Sequence, residues 1–320
     1  MYQIKTIAID HGNRNIKTPT FVFPSSFVES EHLPDIGGGT LAYRGKEYVL
    51  VDRRMPQKSD KTKDDDYLIL TLFAIAKELA GREASSSDLM QTRALEVTLL
   101  VGLPPLHCRA FGKKFADYFT ALENPVSFSF NGKAMQIRIV DVKVYPQGYA
   151  AAVTVLEDIK DFRTVNIIDV GGHTVDFLRL TNLKPDLDVL STLYMGANKM
   201  FQLINEQARA KGASNVPDST IEGILLNDAR VLSGCSRERI ELVLSNAEKF
   251  AKELISEVAQ HGLDLLENRT VFVGGGALML REQISKTGMV ASPYFVSDVK
   301  ANVKGYQLLY ENRKPTEGTA

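Results

Sequence analysis

The chain has 320 residues, 44% of them hydrophobic and 24% charged, with 23 Gly and 12 Pro, which excludes a disordered, fibrous or small disulfide-stapled chain. At ~100–200 residues per domain this length leads to an expectation of about two domains. With 38 Lys+Arg against 39 Asp+Glu the net charge is −1, so no overall field draws the chain to nucleic acid or anionic lipid, and two cysteines without metal-ligand spacing, Cys108 and Cys235, fit a reducing cytoplasm.

Residues 4–10 alternate apolar and polar positions and then meet His11-Gly12-Asn13, which predicts a strand entering a tight turn rather than a signal peptide. A second strand is expected at about 20–23. Residues 30–94 read as an inserted subdomain: a Gly37-Gly38-Gly39 turn, a hairpin over 43–51, a mixed-charge stretch at 58–66 and a core helix over 68–76, too short for the ~20 residues that span a bilayer. The mixed-charge stretch reads as a solvated, mobile segment. Residues 95–101 predict a central strand halted by Pro104 and Pro105. Phe111, Phe115 and Phe119 recur at helical spacing and predict a core face, and Asn131-Gly132 predicts a hairpin between 126–130 and 135–144.

After a helix over about 147–159, the pattern restarts. Residues 165–170 form an apolar strand entering Gly171-Gly172, as 8–13 did with Asp10 and Gly12, and this weak internal repeat suggests two related halves. Further strands are expected near 174–181 and 187–194, a helix over about 197–211, and a mostly helical stretch from 219 to 267 opened by Ser219 and Glu222 as a capping box. A short strand at 270–273 runs into Gly274-Gly275-Gly276, a helix-like stretch follows, and a helix over about 304–312 precedes a polar tail.

Three glycine turns thus each follow an apolar strand. Such turns free backbone N–H groups to face an anion and admit a phosphate without Cβ interference. Neither GxGxxG after the first strand nor GxxxxGK[ST] occurs, so neither the dinucleotide fold nor the P-loop is supported. Two of the turns carry an aspartate, Asp10 and Asp169, whose hard carboxylate oxygens suit a magnesium ion bridging phosphates through water. Asp176 lies seven residues after Asp169.

In this order the motifs resemble the actin and heat-shock-chaperone ATPase superfamily, and within it bacterial actin-like proteins of the ParM type. IAIDHGNRNIK resembles its first phosphate loop, VYPQGYAAA and MGANKM its two connectors, DVGGHTVDF its second phosphate loop, VGGGALML its adenosine loop and ANVKGYQLLYE its C-terminal helix. The resemblance implies an α/β, actin-like ATPase fold of two related domains with five-stranded-type mixed sheets and a nucleotide cleft between them. Domain I would cover 1–164, domain II 165–300 with a helical subdomain at about 213–258, and 301–320 would return to domain I.

The resemblance also implies residue roles. Asp10 and Asp169 would hold Mg2+, mostly through water; Gly12, Asn13, Asn15, Lys17, Gly171, Gly172 and Thr174 would bind phosphate. Gln147 would orient the attacking water, with Asp169 acting beside it, and Gly274, Gly275 and Gly276 would pack against the nucleoside. Catalysis would be mostly positioning and charge neutralisation. Arg14 departs from the small residue or Thr usual there, and His11 and His173 read as neutral turn histidines. The implied function is an ATP- or GTP-driven filament for plasmid or DNA segregation, with the chain itself and a DNA-binding adaptor protein as partners and no direct contact with nucleic acid or membrane. A non-polymerising nucleotide switch or a small-molecule kinase is the alternative.

Overall fold

A computed structural model describes residues 4–29, 39–52, 58, 60–82, 94–122 and 125–312. The Gly37-Gly38 part of the expected glycine turn lies outside them. Two compact units emerge, Met1–Ala150 with Asn302–Ala320, and Ala151–Ala301, where the sequence reading set divisions at 164/165 and 300/301. Residues 151–163 go with the second unit because its strands hold them: the Tyr294 hydroxyl donates to Asp158 at 2.9 Å, and the Arg269 guanidinium lies 5.3 Å from the centre of the Phe162 ring.

The first unit is built on a nine-stranded sheet. Its centre is β1 (Lys5–His11), antiparallel to β2 (Asn15–Lys17) and parallel to β7 (Leu95–Leu103). On the outer sides lie β3 (Val22–Pro24), antiparallel to β2, and β9 (Lys133–Pro146), parallel to β7. The strand expected at about 20–23 is β3, and β2 before it is one the sequence reading did not place; the chain folds back between them where the Thr18 N–H donates to the Phe21 carbonyl. Parallel neighbours on both sides bury β7 and explain its unbroken apolar run. It stops at Leu103 because Pro104 and Pro105 have no N–H; Pro105 opens α2 (Pro105–Thr120), where a missing N–H costs nothing.

Beyond β9 the sheet continues through β8 (Val126–Phe130), β5 (Thr40–Tyr43), β6 (Lys46–Leu50) and β4 (Phe27–Glu29). Both hairpin turns use positive φ at two successive residues, Arg44-Gly45 and Asn131-Gly132, the geometry that matches strand twist. The stretch read as an inserted subdomain shares the main core: α1 (Asp66–Arg82) packs Leu68, Leu72, Phe73 and Leu79 with Ile7, Ile9 and Leu99. Phe115 and Phe119 of α2 join them, but Phe111 is half exposed, because the buried stripe of α2 passes through positions 115 and 119 and not 111.

The mixed-charge stretch is tied down rather than freely solvated. Lys58 pairs with Asp64 and Asp66, Asp60 with Lys114 of α2 at 2.6 Å, and the Tyr118 hydroxyl donates to the Asp64 carbonyl while accepting from the Leu68 N–H. On the sheet's opposite face, α11 (Ala301–Glu311) packs Val303 and Tyr306 against Ala8, Leu100 and Tyr145. The expected helix over 147–159 is broken into α3 (Tyr149–Val153) and α4 (Leu156–Ile159).

The second unit repeats the first unit's central order: β12 (Lys184–Leu193), β11 (Val175–Thr181), β10 (Thr164–Val170), β13 (Arg269–Val273), β14 (Pro293–Phe295). The orientations match as well, with β11 antiparallel to both β12 and β10, and β10, β13 and β14 parallel. Helices α5 (Ala197–Ala210), α6 (Asp218–Leu225), α7 (Ala229–Ser233) and α8 (Arg237–Gln260) cover this sheet, with Met200, Phe201, Ile221, Phe250 and Leu254 in its core. The capping box at Ser219 does not form. Pro217 is the N-cap of α6 and Ser219 lies inside the first turn, so the side-chain cap is made instead at Ser236, which accepts from the Arg239 N–H at the start of α8. No described helix is long and apolar enough to cross a membrane.

Candidate functional site

In the first unit the site grows from the register of β1 and β2. Asp10 faces Lys17 across the ladder, and its buried carboxylate accepts from Lys17 Nζ at 3.3 Å and from Gln147 Nε2 at 2.6 Å. Gln147 reaches Asp10 because the parallel pairing of β7 and β9 ends with its N–H donating to the Leu103 carbonyl. One of the two amide protons of Gln147 goes to Asp10, which fixes the side chain and leaves the second N–H and the acceptor Oε1 to offer. Gly12 is required where it stands, since a Cβ would lie 2.7 Å from the Asn15 carbonyl oxygen. The Ser25 hydroxyl donates to the Gly12 carbonyl at 2.5 Å, and the Ser25 N–H donates to the Arg14 carbonyl. Asn13 and Arg14 are half-buried at the loop tip.

His11 is a core residue. It is fully buried, with Tyr67, Phe115 and Phe119 rings around it and Nε2 2.8 Å from Thr71 Oγ1. The Thr71 hydroxyl gives its proton to the Tyr67 carbonyl, so Nε2 must carry the proton and Nδ1 is left without one. Burial first, and the Lys61 charge second, hold this imidazole well below its ordinary value, so it stays neutral.

In the second unit, strand β10 ends at Asp169 and Val170. The Gly171 N–H donates to the Thr174 carbonyl, closing the turn. The Gly171, Gly172 and His173 carbonyls accept from the N–H groups of Ala197, Asn198 and Gly196 at the start of α5. A side chain at Gly196 would strike the His173 backbone at 2.4 Å, so the second connector and this loop form one fitted piece. Asp176, opposite Asp169 on β11, is buried and accepts from the Thr174 hydroxyl at 2.9 Å and the Thr192 hydroxyl at 2.6 Å. Thr174 thus spends its hydroxyl proton on Asp176, and its backbone N–H is the donor it has left for an anion.

The third glycine turn lies against the second loop. Gly274 has φ 91° and ψ 161°, and a Cβ there would stand 2.5 Å from Asp169 Oδ1 and 2.6 Å from the Val170 carbonyl oxygen. At Gly276 a Cβ would meet Val170 at 2.7 Å, whereas at Gly275 it would meet nothing within 4 Å. The stretch that follows is α9 (Gly275–Met279) and α10 (Arg281–Lys286). Burial lowers the His173 imidazole below its ordinary value.

Among the candidate residues, Asp10, Lys17 and Gln147 are thus brought into direct contact in one unit. In the other, Asp169, Gly171, Gly172, Thr174, Gly274 and Gly276 form a single packed group. The braces Ser25, Thr192 and Lys61 carry no signal in the sequence; Asp176 does, through its spacing from Asp169. Among the described residues no three His, Cys, Asp or Glu side chains gather around a common point. The buried carboxylates, Asp10 in the first unit and the paired Asp169 and Asp176 in the second, are a donor set for magnesium carried in with phosphates and water, not for a protein-built cage, and at Gly12, Gly274 and Gly276 the missing Cβ lets the protein's own atoms pack against the turns.

Two family models match in the order of the two units: "Actin like proteins N terminal domain" over residues 8–149 and "Archaeal actin homologue MreB-like, C-terminal" over residues 167–286. Ta0583, an archaeal actin homologue solved in complex with ADP, superposes with a TM-score of 0.73 at 16% identity over 96% of this chain and 99% of its own. A ParM from Clostridium botulinum, solved as a 15-stranded filament, gives 0.74 at 16% identity over 98% of this chain and 100% of its own. The Alp12 filament gives 0.63 at 17% over 96% and 98%. No curated protein shows significant sequence similarity to this chain. The repeated strand order, the two glycine loops and the two family matches together make the chain an actin-like protein.

Proposed function

We propose that this protein is a nucleoside triphosphatase that assembles into filaments on binding ATP or GTP with Mg2+ and destabilises them by hydrolysis, serving plasmid or DNA segregation in the cytoplasm through a DNA-binding adaptor protein. The observation that carries the reading is the junction of Asp10, Lys17 and Gln147 at the head of the first glycine loop, restated in the second unit by Asp169 beside Gly171 and Gly274. Support for assembly comes from neighbours of the same fold solved as filaments, and support for nucleotide from one solved with ADP.

In this reading Gly12, Asn13 and Asn15 cradle phosphate and Lys17 neutralises it, while Gly171, Gly172 and Thr174 take the phosphates from the second unit. Asp10 and Asp169 would hold Mg2+ through water, and the ion would offset charge on the phosphates. Asp10 anchors the Gln147 amide so that Oε1 accepts a proton of the attacking water and points its lone pair at the terminal phosphorus. Asp169 acts on the water or the ion, and Gly274, Gly275 and Gly276 pack against the nucleoside.

The test follows right-angle light scattering and phosphate release together after adding ATP or GTP with magnesium. A scattering rise that decays, and that persists in Gln147→Ala, is expected. Phosphate release with flat scattering at all concentrations would refute assembly and leave the switch and kinase alternatives, and no release with either nucleotide would refute the hydrolase.

A further inference from the structure

We infer that Lys61 is a positioning residue of the first phosphate loop, acting with Ser25 to preset the Gly12 and Asn13 N–H groups for a phosphate. This rests on the proposed nucleotide site and extends it to a residue fifty positions away in sequence. Lys61 Nζ donates to the His11 carbonyl at 2.7 Å and lies 5.1 Å from the centre of the Tyr67 ring. A trans peptide is planar and its C=O and N–H point in opposite directions. Holding the His11 carbonyl toward Lys61 therefore turns the Gly12 N–H to the other side of the loop. Ser25 does the same one peptide later: its hydroxyl holds the Gly12 carbonyl and so directs the Asn13 N–H. Two successive N–H groups of a glycine turn are in this way fixed from behind by side-chain donors.

The strength of the arrangement lies in how firmly both ends are held. At the loop, the His11 side chain is locked among Tyr67, Phe115 and Phe119 and bonded to Thr71, so the peptide cannot turn by swinging its own residue. At the other end, the stretch carrying Lys61 is bound to α2 through Asp60 and Lys114 and to Tyr118 through the Asp64 carbonyl. Asp60 also accepts from the Thr62 hydroxyl at 2.6 Å and from the Thr62 N–H at 2.9 Å, and these contacts, led by the Lys114 bond, hold its carboxyl well below the usual carboxylate range. The mixed-charge stretch is then a strap that runs from α2 to the His11–Gly12 peptide. A cation bonded to the carbonyl also polarises that peptide and makes its N–H a stronger donor to an anion.

The experiment compares wild type, Lys61→Met, Lys61→Arg and Lys114→Ala. Binding of a fluorescent nucleoside triphosphate, diphosphate and monophosphate is measured beside steady-state phosphate release and thermal melting. Loss of one oriented donor to the phosphates should weaken triphosphate binding about tenfold in Lys61→Met, with a smaller loss for the monophosphate, a raised KM and recovery in Lys61→Arg. Hydrogen–deuterium exchange of the peptide spanning 7–17 in the nucleotide-free protein should quicken in Lys61→Met, a readout independent of nucleotide. Unchanged exchange, or equal weakening for all three nucleotides, overturns the role of Lys61 while leaving the hydrolase reading in place. If wild type binds no nucleotide, quickened exchange still supports the strap and only the hydrolase reading fails. Should Lys61→Met not fold, Lys114→Ala detaches the same strap at its far end, and the same outcomes apply.

Discussion

Two neighbouring glycines of the third turn make a decisive pair. Gly274→Ala meets two separate obstacles. At φ 91° and ψ 161° the backbone occupies a region essentially reserved for glycine, which costs an L side chain about 1–3 kcal/mol. The new Cβ would also stand 2.5 Å from Asp169 Oδ1 and 2.6 Å from the Val170 carbonyl oxygen, and relieving such overpacking costs a further ~1–3 kcal/mol. A loss of about 4 kcal/mol should lower Tm by roughly 6 °C for a protein of this size. Because the carboxylate of Asp169 must give way, the loss should be accompanied by weaker binding of Mg-nucleotide in the protein that remains folded. Gly275→Ala is the control: its Cβ meets nothing within 4 Å, so stability should stay within ~0.5 kcal/mol of wild type. Any weakening of nucleotide binding in that variant then reports on the proposed nucleoside contact alone. Calorimetric melting of the three proteins decides the matter, and a Gly274→Ala Tm equal to that of Gly275→Ala would refute the reasoning.

Three further predictions follow from buried polar groups and tight backbone approaches. The neutral His11 imidazole refuses a proton that the unfolded chain accepts near pH 6.5, so stability should be level above that pH and fall below it, by up to ~1.4 kcal/mol per pH unit from this residue; urea titrations of wild type and His11→Met at several pH values should show the slope reduced in the variant. Thr192→Val keeps the shape of the side chain but removes the 2.6 Å donor to Asp176, which should cost about 1–3 kcal/mol in denaturant unfolding. Gly305→Ala would drive a Cβ to 1.8 Å from the Ala150 carbonyl oxygen, forcing α11 away from α3 and lowering Tm, by at least ~1 kcal/mol equivalent; a melting curve unchanged from wild type would contradict the packing described.

The features legible in the sequence were those written in local chemistry. Asn131-Gly132 specifies its own hairpin through positive φ, Pro104 and Pro105 end β7 by lacking a donor, and the three strand-to-glycine junctions stand out without knowledge of contacts. What escaped depended on partners distant along the chain. Phe111 obeys the same helical spacing as Phe115, yet which stripe of α2 faces the sheet is decided by the strands it lies on, β9 and β7. The charged stretch at 58–66 reads as solvated because nothing local reveals Lys114 or Tyr118 waiting on α2. Ser219 and Glu222 have the spacing of a capping box, but Pro217, two residues earlier, already starts the helix.

The repeat between the units extends to the residue opposite each loop aspartate, and there the two halves diverge. Asp10 pairs across its ladder with Lys17, and Asp169 with Asp176; both partners lie seven residues on, so a cation in one unit occupies the place of a carboxylate in the other. Carboxylates directly opposite one another on a sheet repel, and the second unit answers by giving Asp176 two hydroxyl donors, from Thr174 and Thr192. The first unit, with Asp10 offset by Lys17, keeps an ammonium group next to its glycine loop and suits an anion. In the second unit two buried carboxylates share a ladder position, which favours a cation with its water shell. On the proposed function this divides the labour, phosphate charge met chiefly by Lys17 and the loop N–H groups, the magnesium shell drawn chiefly toward Asp169. Asp176→Asn should then weaken the magnesium dependence of nucleotide binding more than the binding of magnesium-free nucleotide, while Lys17→Met should weaken both; isothermal titration with and without chelator separates the two, and an equal loss in both variants would show that the divergence between the halves has no part in metal binding.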